Sequence, residues 1–327
     1  MAAARARHTR WSWAGLLLTL LAAALWGLAP VATKAALAGF SPELIGFLRL
    51  AVAALLFRLV SGEGARWFVA DPWAWLAGAA LGLDFILYNY GIRYTTASVA
   101  GLVINVEMIS TIAFAVWLLG ERLSLHRVVG SAITLGGVLL VSVDGFSLSD
   151  ITDRRRLAGN LLVMAAGVSW SLFAVAQRRA RPGPNLFTGL APIFSVAALT
   201  TLPMLLRRAA WAWSGGLTPT VMLLVLIVLG TGLVYWIYAR AQQLIDLSVL
   251  AVLLSSIPIF SLVFACGFLG EPLTARLLLG SSVVVAGIVV IAAETGGGPE
   301  VVQAAGKQRP RRVSARRLAR LRSGGAT

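Results

Sequence analysis

Two carboxylates stand where carboxylates are expensive. Asp84 and Glu107 each fall near the middle of an apolar run long enough to cross a bilayer, and a charge at that depth costs on the order of a few kcal/mol or more. An acid that persists there faces either a cavity or a partner. Facing a cavity, it could hold a solute or carry a proton from one side to the other. Facing a partner, it would form a structural ion bridge with Arg49 or Lys34. Helical spacing gives each acid polar neighbours: Tyr88 lies at i+4 from Asp84, and Ser110 and Thr111 at i+3 and i+4 from Glu107. Asn89 and Asn105 are close in sequence, and Tyr235, Tyr238, Ser255 and Ser256 would extend the seam from later helices. The hydroxyls have a plainer reading as backbone partners that let helices pack closely.

Trp26 and Trp170 are the other candidates. Tryptophan prefers membrane interfaces, yet both sit midway along apolar runs, and a central indole N–H in need of a partner points to a cavity wall, with packing as the alternative. Trp11, Trp13, Trp67, Trp73, Trp75, Trp211 and Trp213 fall at predicted span ends and need only interfacial anchoring.

The elements that must position these groups are transmembrane helices. The 327 residues are 58% hydrophobic and 13% charged, against about 45–50% and about 25% in soluble domains. A bilayer needs about 20 apolar helical residues per crossing. Suitable runs occur at 14–38, 44–60, 72–91, 97–119 and 128–143, then at 157–176, 185–206, 220–238, 247–269 and 277–293. The expected fold is an all-α integral membrane protein of about ten transmembrane helices. Its parts are a basic N-terminal tail at 1–13, five helices at 14–143, a polar linker at 144–156, five more at 157–293, and a basic, disordered tail at 294–327. The first apolar run is longer than the 7 to 15 residues of a signal-peptide core and reads as a retained helix. Pro30 and Pro258 are expected to bend or break the first and ninth spans.

The net charge of +15 does not indicate nucleic acid, because eight basic residues lie between Lys307 and Arg322 and three more precede the first span. Internal loops divide their basic residues evenly, so the tails decide the orientation and place both termini in the cytoplasm. The tail would lie against anionic lipid headgroups, at about 1 kcal/mol per base, or extend as a chain without a partner. A lone Cys266 and two histidines, His8 and His126, outside the spans leave no disulfide and no metal cluster. No cofactor is expected. The sequence has no phosphate-binding glycine loop and no soluble stretch long enough for an ATPase domain.

The chain also repeats itself. At an offset of 150, Gly82, Tyr88, Ser98, Gly120, Glu121, Leu123, Gly130 and Gly137 recur as Gly232, Tyr238, Ser248, Gly270, Glu271, Leu273, Gly280 and Gly287. At an offset of 144, Trp26 to Lys34 faces Trp170 to Arg178. Halves with an odd number of spans enter the membrane from opposite sides, and the repeat is therefore inverted, as in secondary transporters. Helix capping and short-loop closure account for Glu121 and Glu271 without a role in transport.

The Trp-containing opening helix of each half, the Tyr88–Ser98 segment (YNYGIRYTTAS) and the paired Gly-Glu-x-Leu turns resemble the EamA-type carriers of the drug/metabolite transporter superfamily. The resemblance runs from Trp13 to Ala293. It implies ten helices, cytoplasmic termini, and export of amino acids or other small metabolites. EamA-like halves often carry a Glu-Pro pair midway along the fourth helix. Here the pair is divided, with Glu107-Met108 in the first half and Ile257-Pro258 in the second.

The expectation is a secondary transporter exporting a small metabolite by alternating access, with proton coupling open, in the cell inner membrane. Its partners are the solute and the bilayer, with a homodimer open and nucleic acid excluded. A lipid-linked substrate flippase and a membrane-embedded enzyme are the alternatives. A flippase would have a cavity open sideways to lipid, and an enzyme would need acids or histidines gathered at an interface.

Overall fold

The computed structural model describes residues 12–62, 66–91, 94, 104, 106–142, 153–181, 183–206, 211, 213–257, 259–260, 263–264 and 275–293. Asn105, Pro258, Glu271, the centre of the polar linker and both basic tails lie outside the described residues, as do the expectations attached to them.

Among the described residues the chain forms ten helices: α1 (Trp13–Ala36), α2 (Pro42–Val60), α3 (Pro72–Gly91), α4 (Val106–Leu119), α5 (Leu125–Ser142), α6 (Arg154–Arg179), α7 (Leu186–Thr201), α8 (Leu217–Leu244), α9 (Leu247–Leu254) and α10 (Ala275–Ala293). A 3-10 turn, Leu202–Leu206, prolongs α7, and a π-helical turn, Val228–Leu233, interrupts α8. Local signals set several starts. Ser41 accepts from the Leu44 N–H ahead of Pro42, and Asn185 and Thr188 form a reciprocal capping box. Asp153 accepts from the N–H groups of Arg155 and Arg156, and this cap starts α6 at Arg154 rather than at the expected Leu157. The first helix runs on past Pro30 instead of breaking, whereas α9 gives way to a turn at Ser255 and Ser256.

Large apolar side chains face outward. Leu17, Leu21, Trp117, Leu224, Val285 and Val289 are exposed, while alanines and hydroxyl residues such as Ala22, Ala77, Thr111, Ala191 and Ser171 are buried. That is the polarity of a protein solvated by lipid. The rods Arg154–Arg179, Leu186–Leu206 and Leu217–Leu244 are each long and apolar enough to cross a bilayer.

Packing pairs the halves symmetrically. The second helices, α2 and α7, face each other; α3 packs on α6 as α8 packs on α1; α4 packs on α6 as α9 packs on α1; and the fifth helices, α5 and α10, pair with each other. Glycines fix the direction of that last pair. A Cβ at Gly130 would stand 2.7 Å from the Gly287 carbonyl oxygen, and one at Gly137 would stand 2.8 Å from that of Gly280. Gly130 and Gly280 are repeat equivalents, as are Gly137 and Gly287. The contact is therefore reciprocal, and the two helices run antiparallel. Equivalent helices pointing in opposite directions are what an inverted repeat requires. Because lipid is as apolar as leucine, such close backbone approach supplies dispersion contact that burial alone would not.

Candidate functional site

The repeat brings Trp26 of α1 and Trp170 of α6 together across the two halves, ring centroids 6.1 Å apart and edge to face. Tyr235 and Tyr238 of α8 complete the cluster, 5.3 and 5.5 Å from Trp26. Phe173 lies beneath both tyrosines, at 5.8 and 6.3 Å, and Phe194 of α7 meets Tyr235 edge to face at 5.0 Å. Rings at these separations gain about 0.5–1.5 kcal/mol per pair beyond the contact area. Trp170 and the two tyrosines are buried, whereas Trp26 stays partly accessible. The Tyr238 hydroxyl is sealed without a hydrogen-bond partner among the described residues, an omission that costs about 1–3 kcal/mol. Gln242, one turn on, gives its amide to the Ala174 carbonyl instead.

The acids border this cluster. Asp84 of α3 lies in the electrostatic field of Glu107 and of Arg49, Tyr88 in that of all three, and Tyr235 in the same field from the aromatic side. All but Tyr235 keep part of their surface accessible. Among the described residues, neither carboxylate has a cation within 4.0 Å, so the alternative bridge to Arg49 does not form; the side chain of Lys34, the other counter-ion considered, lies outside those described. Arg49 is occupied elsewhere. Its Nε donates to Thr231 Oγ1 at 2.9 Å and one Nη to the Gly230 carbonyl at 3.2 Å, both in the π-turn of α8, while the guanidinium lies over Phe85 at 5.0 Å. A π-turn shifts the hydrogen-bond ladder to i+5. The Thr231 hydroxyl in turn donates to Leu226 O, and the Gly230 carbonyl accepts from a side chain of another helix.

Other expected members have structural work. Asn89 donates to the Pro42 carbonyl at 3.4 Å, tying α3 to the start of α2. Glu107 stands in the first turn of the described α4, and its backbone carbonyl accepts from Ser171 at 2.9 Å. Ser171 also meets Ser110 and Thr111 at 2.7 and 2.8 Å. These hydroxyls fasten α4 to α6, the plainer reading of the two. Ser255 bonds back to Ala251 O and contacts Met108 Sδ.

A second charged group, unread in the sequence, closes one end of the bundle. Glu121 caps a helix, but that helix is α9 of the opposite half: its carboxylate accepts from the N–H groups of Leu247 and Ser248 at 2.7 and 3.0 Å. Arg127 of α5 donates to Asp246 at 2.9 Å and to Ser248 Oγ at 3.1 Å. Arg178 of α6 donates to the Ile245 carbonyl at 2.8 Å and lies 3.8 Å from Glu121 and 3.9 Å from Asp246. The signal for Glu121 was its recurrence in register as Glu271; nothing local marked Arg127 or Asp246 as its neighbours. A surface cleft of about 290 Å³ lies between the α2–α3 and α6–α7 connections. Its acid, Asp71, is engaged by the N–H groups of Trp73 and Arg181.

Ten helices in two inverted, reciprocally packed halves, with polar and aromatic groups gathered where the halves meet, define a multi-pass membrane transporter fold. The comparisons agree. The EamA-like transporter family matches at residues 13–143 and again at 157–293, and the chain belongs to that family. Its members are transporters, which sets the enzyme alternative aside. An uncharacterized transporter of Archaeoglobus fulgidus is 27% identical, over 85% of this chain and 98% of its own. A probable terminal-alkyne amino-acid exporter of Streptantibioticus cattleyicolor is 27% identical, over 83% and 91%. A probable amino-acid metabolite efflux pump of Salmonella typhimurium is 26% identical, over 84% and 93%. A protein crystal structure shares the fold at a TM-score of 0.74 and 22% identity, covering 86% of this chain and 96% of its own.

Proposed function

We propose that this transporter exports a small metabolite such as an amino acid by alternating access, in the cell inner membrane with both termini in the cytoplasm. One observation carries the reading: Trp26 and Trp170, equivalent in the two halves, touch beside two carboxylates that have no partner among the described residues. A site shared by both halves is the one place that rocking of one half against the other exposes alternately to the two sides. The exporter names of the relatives in Streptantibioticus and Salmonella support an amino-acid-like solute and the outward direction. Asp84 and Glu107 are the groups placed to couple a proton, and Tyr88, Tyr235, Tyr238 and the tryptophans to hold the solute.

The test is efflux from proteoliposomes loaded with a metabolite panel, with and without a pH gradient. Glu107→Gln should abolish the stimulation by the gradient while assembling normally. Wild-type efflux indifferent to the gradient would remove proton coupling, and no efflux of any compound would remove the carrier reading. For orientation, a cysteine at Asp150 in a Cys266→Ser background should react with an impermeant reagent in intact cells, and one at Arg66 should not. The reverse pattern would invert the topology.

A further inference from the structure

We infer that Arg49 is the anion-binding residue of the transport site, receiving a carboxylate of the solute inside the bundle. The inference rests on the carrier reading and deepens it to a class of solute. Arg49 stands near the middle of α2, away from the charged residues Glu43 and Arg58 at its ends. One edge of its guanidinium is fixed by Thr231 Oγ1 and the Gly230 carbonyl, and its face by the Phe85 ring. Among the described residues the remaining Nη has no hydrogen-bond partner and is not among the sealed polar atoms. It therefore opens onto accessible space. A planar fork held on one edge with the other arm free is organised for a carboxylate before the carboxylate arrives.

Charge balance points the same way. A cation in a low-dielectric interior is destabilising unless it is paired. The end-face arginines, Arg127 and Arg178, both lie beside carboxylates. Among the described residues Arg49 has none within 4.0 Å, although Asp84 is near enough to interact. The π-turn and Phe85 hold it back from the acid, leaving a cation and an anion apart across one site. A solute anion satisfies Arg49 without disturbing that arrangement. With one guanidinium among the described residues of the site and Asp84 and Glu107 nearby, a singly charged carboxylate is matched and a phosphate dianion is opposed. Trp26, partly accessible, offers the apolar wall for the rest of the molecule.

Matched acids and amides separate recognition from structure. Binding to the purified full chain is measured by tryptophan fluorescence for leucine, phenylalanine and 3-phenylpropionate and for the amide of each. The wild type should prefer the acids. Arg49→Gln should weaken acid binding about 10- to 100-fold and leave the amides unchanged. Arg49→Lys should recover part of the loss, and Thr231→Ala, which frees the guanidinium without removing its charge, should lose less than Arg49→Gln. A purely structural role predicts that acids and amides weaken together. Equal wild-type binding of acid and amide, or equal loss of both in Arg49→Gln, overturns the inference while the carrier reading stands. Should Arg49→Gln fail to assemble, the wild-type preference and the Arg49→Lys and Thr231→Ala variants decide it. If none of the six compounds binds and none is exported, both readings fall together.

Discussion

The molecule holds two sets of charges within the bundle that treat their partners in opposite ways. At one end of the bundle, Glu121, Arg127, Arg178 and Asp246 each lie within 4 Å of an opposite charge and also bond to the Ile245 carbonyl, Ser248 and the start of α9. At the centre, Arg49, Asp84 and Glu107 interact only at a distance, and the arginine bonds to a carbonyl and a hydroxyl instead. Both sets lie between the halves. A paired set holds the halves together, because every charge is balanced before any solute arrives. In the central set, among the described residues, neither acid forms an ion pair with Arg49.

That contrast can be broken by substitution, and the effects should fall in a definite order. The largest belongs to the paired set: Asp246→Ala strands Arg127 and Arg178, and the thermal unfolding midpoint in detergent should drop by the equivalent of about 3–5 kcal/mol. An unchanged midpoint would mean that the network is not holding the halves. Next comes a gain. Tyr238→Phe removes a sealed hydroxyl that has no partner among the described residues, and should raise stability by about 1–2 kcal/mol in the absence of solute. Loss of stability would show that the hydroxyl does bond in the resting protein. Glu121→Gln keeps one acceptor for α9 but removes the charge at its N-terminus, a loss of about 1 kcal/mol in the same assay. The smallest shift is expected at the centre. Glu107→Gln should move the midpoint by less than about 0.5 kcal/mol, as for a site without partners, while changing the response of efflux to a pH gradient. A large loss of stability there would turn the central acids into structural ones.

The two Gly-Glu-x-Leu turns illustrate how far sequence reasoning reaches. Their register disclosed the duplication, and the odd number of spans in each half disclosed the inversion, since both follow from counting. The same count led to the expectation that Asp84, Glu107, Trp26 and Trp170 lie at mid-depth. Where these side chains turn was not legible. Arg49 looked like a counter-ion for an acid one helix away. The π-turn at Gly230-Thr231-Gly232 took it instead, and π-turns leave no periodic signal in an apolar helix. Glu121 looked like the cap of a neighbouring turn, yet it serves a helix in the other half, more than 120 positions along the chain.

The sequence by itself determined what composition, period and repetition can carry: helices solvated by lipid, ten of them, in two halves of opposite sense. These depend on hydropathy and spacing, which are local. Only the tertiary structure decided which charges pair. An ion pair in a membrane interior is settled within about 4 Å by the rotamers and backbone irregularities of helices far apart in the chain. Asp84 and Glu107 follow that rule: hydropathy marked them as expensive charges, and the packing of α2 against the π-turn of α8 keeps Arg49 from pairing with them.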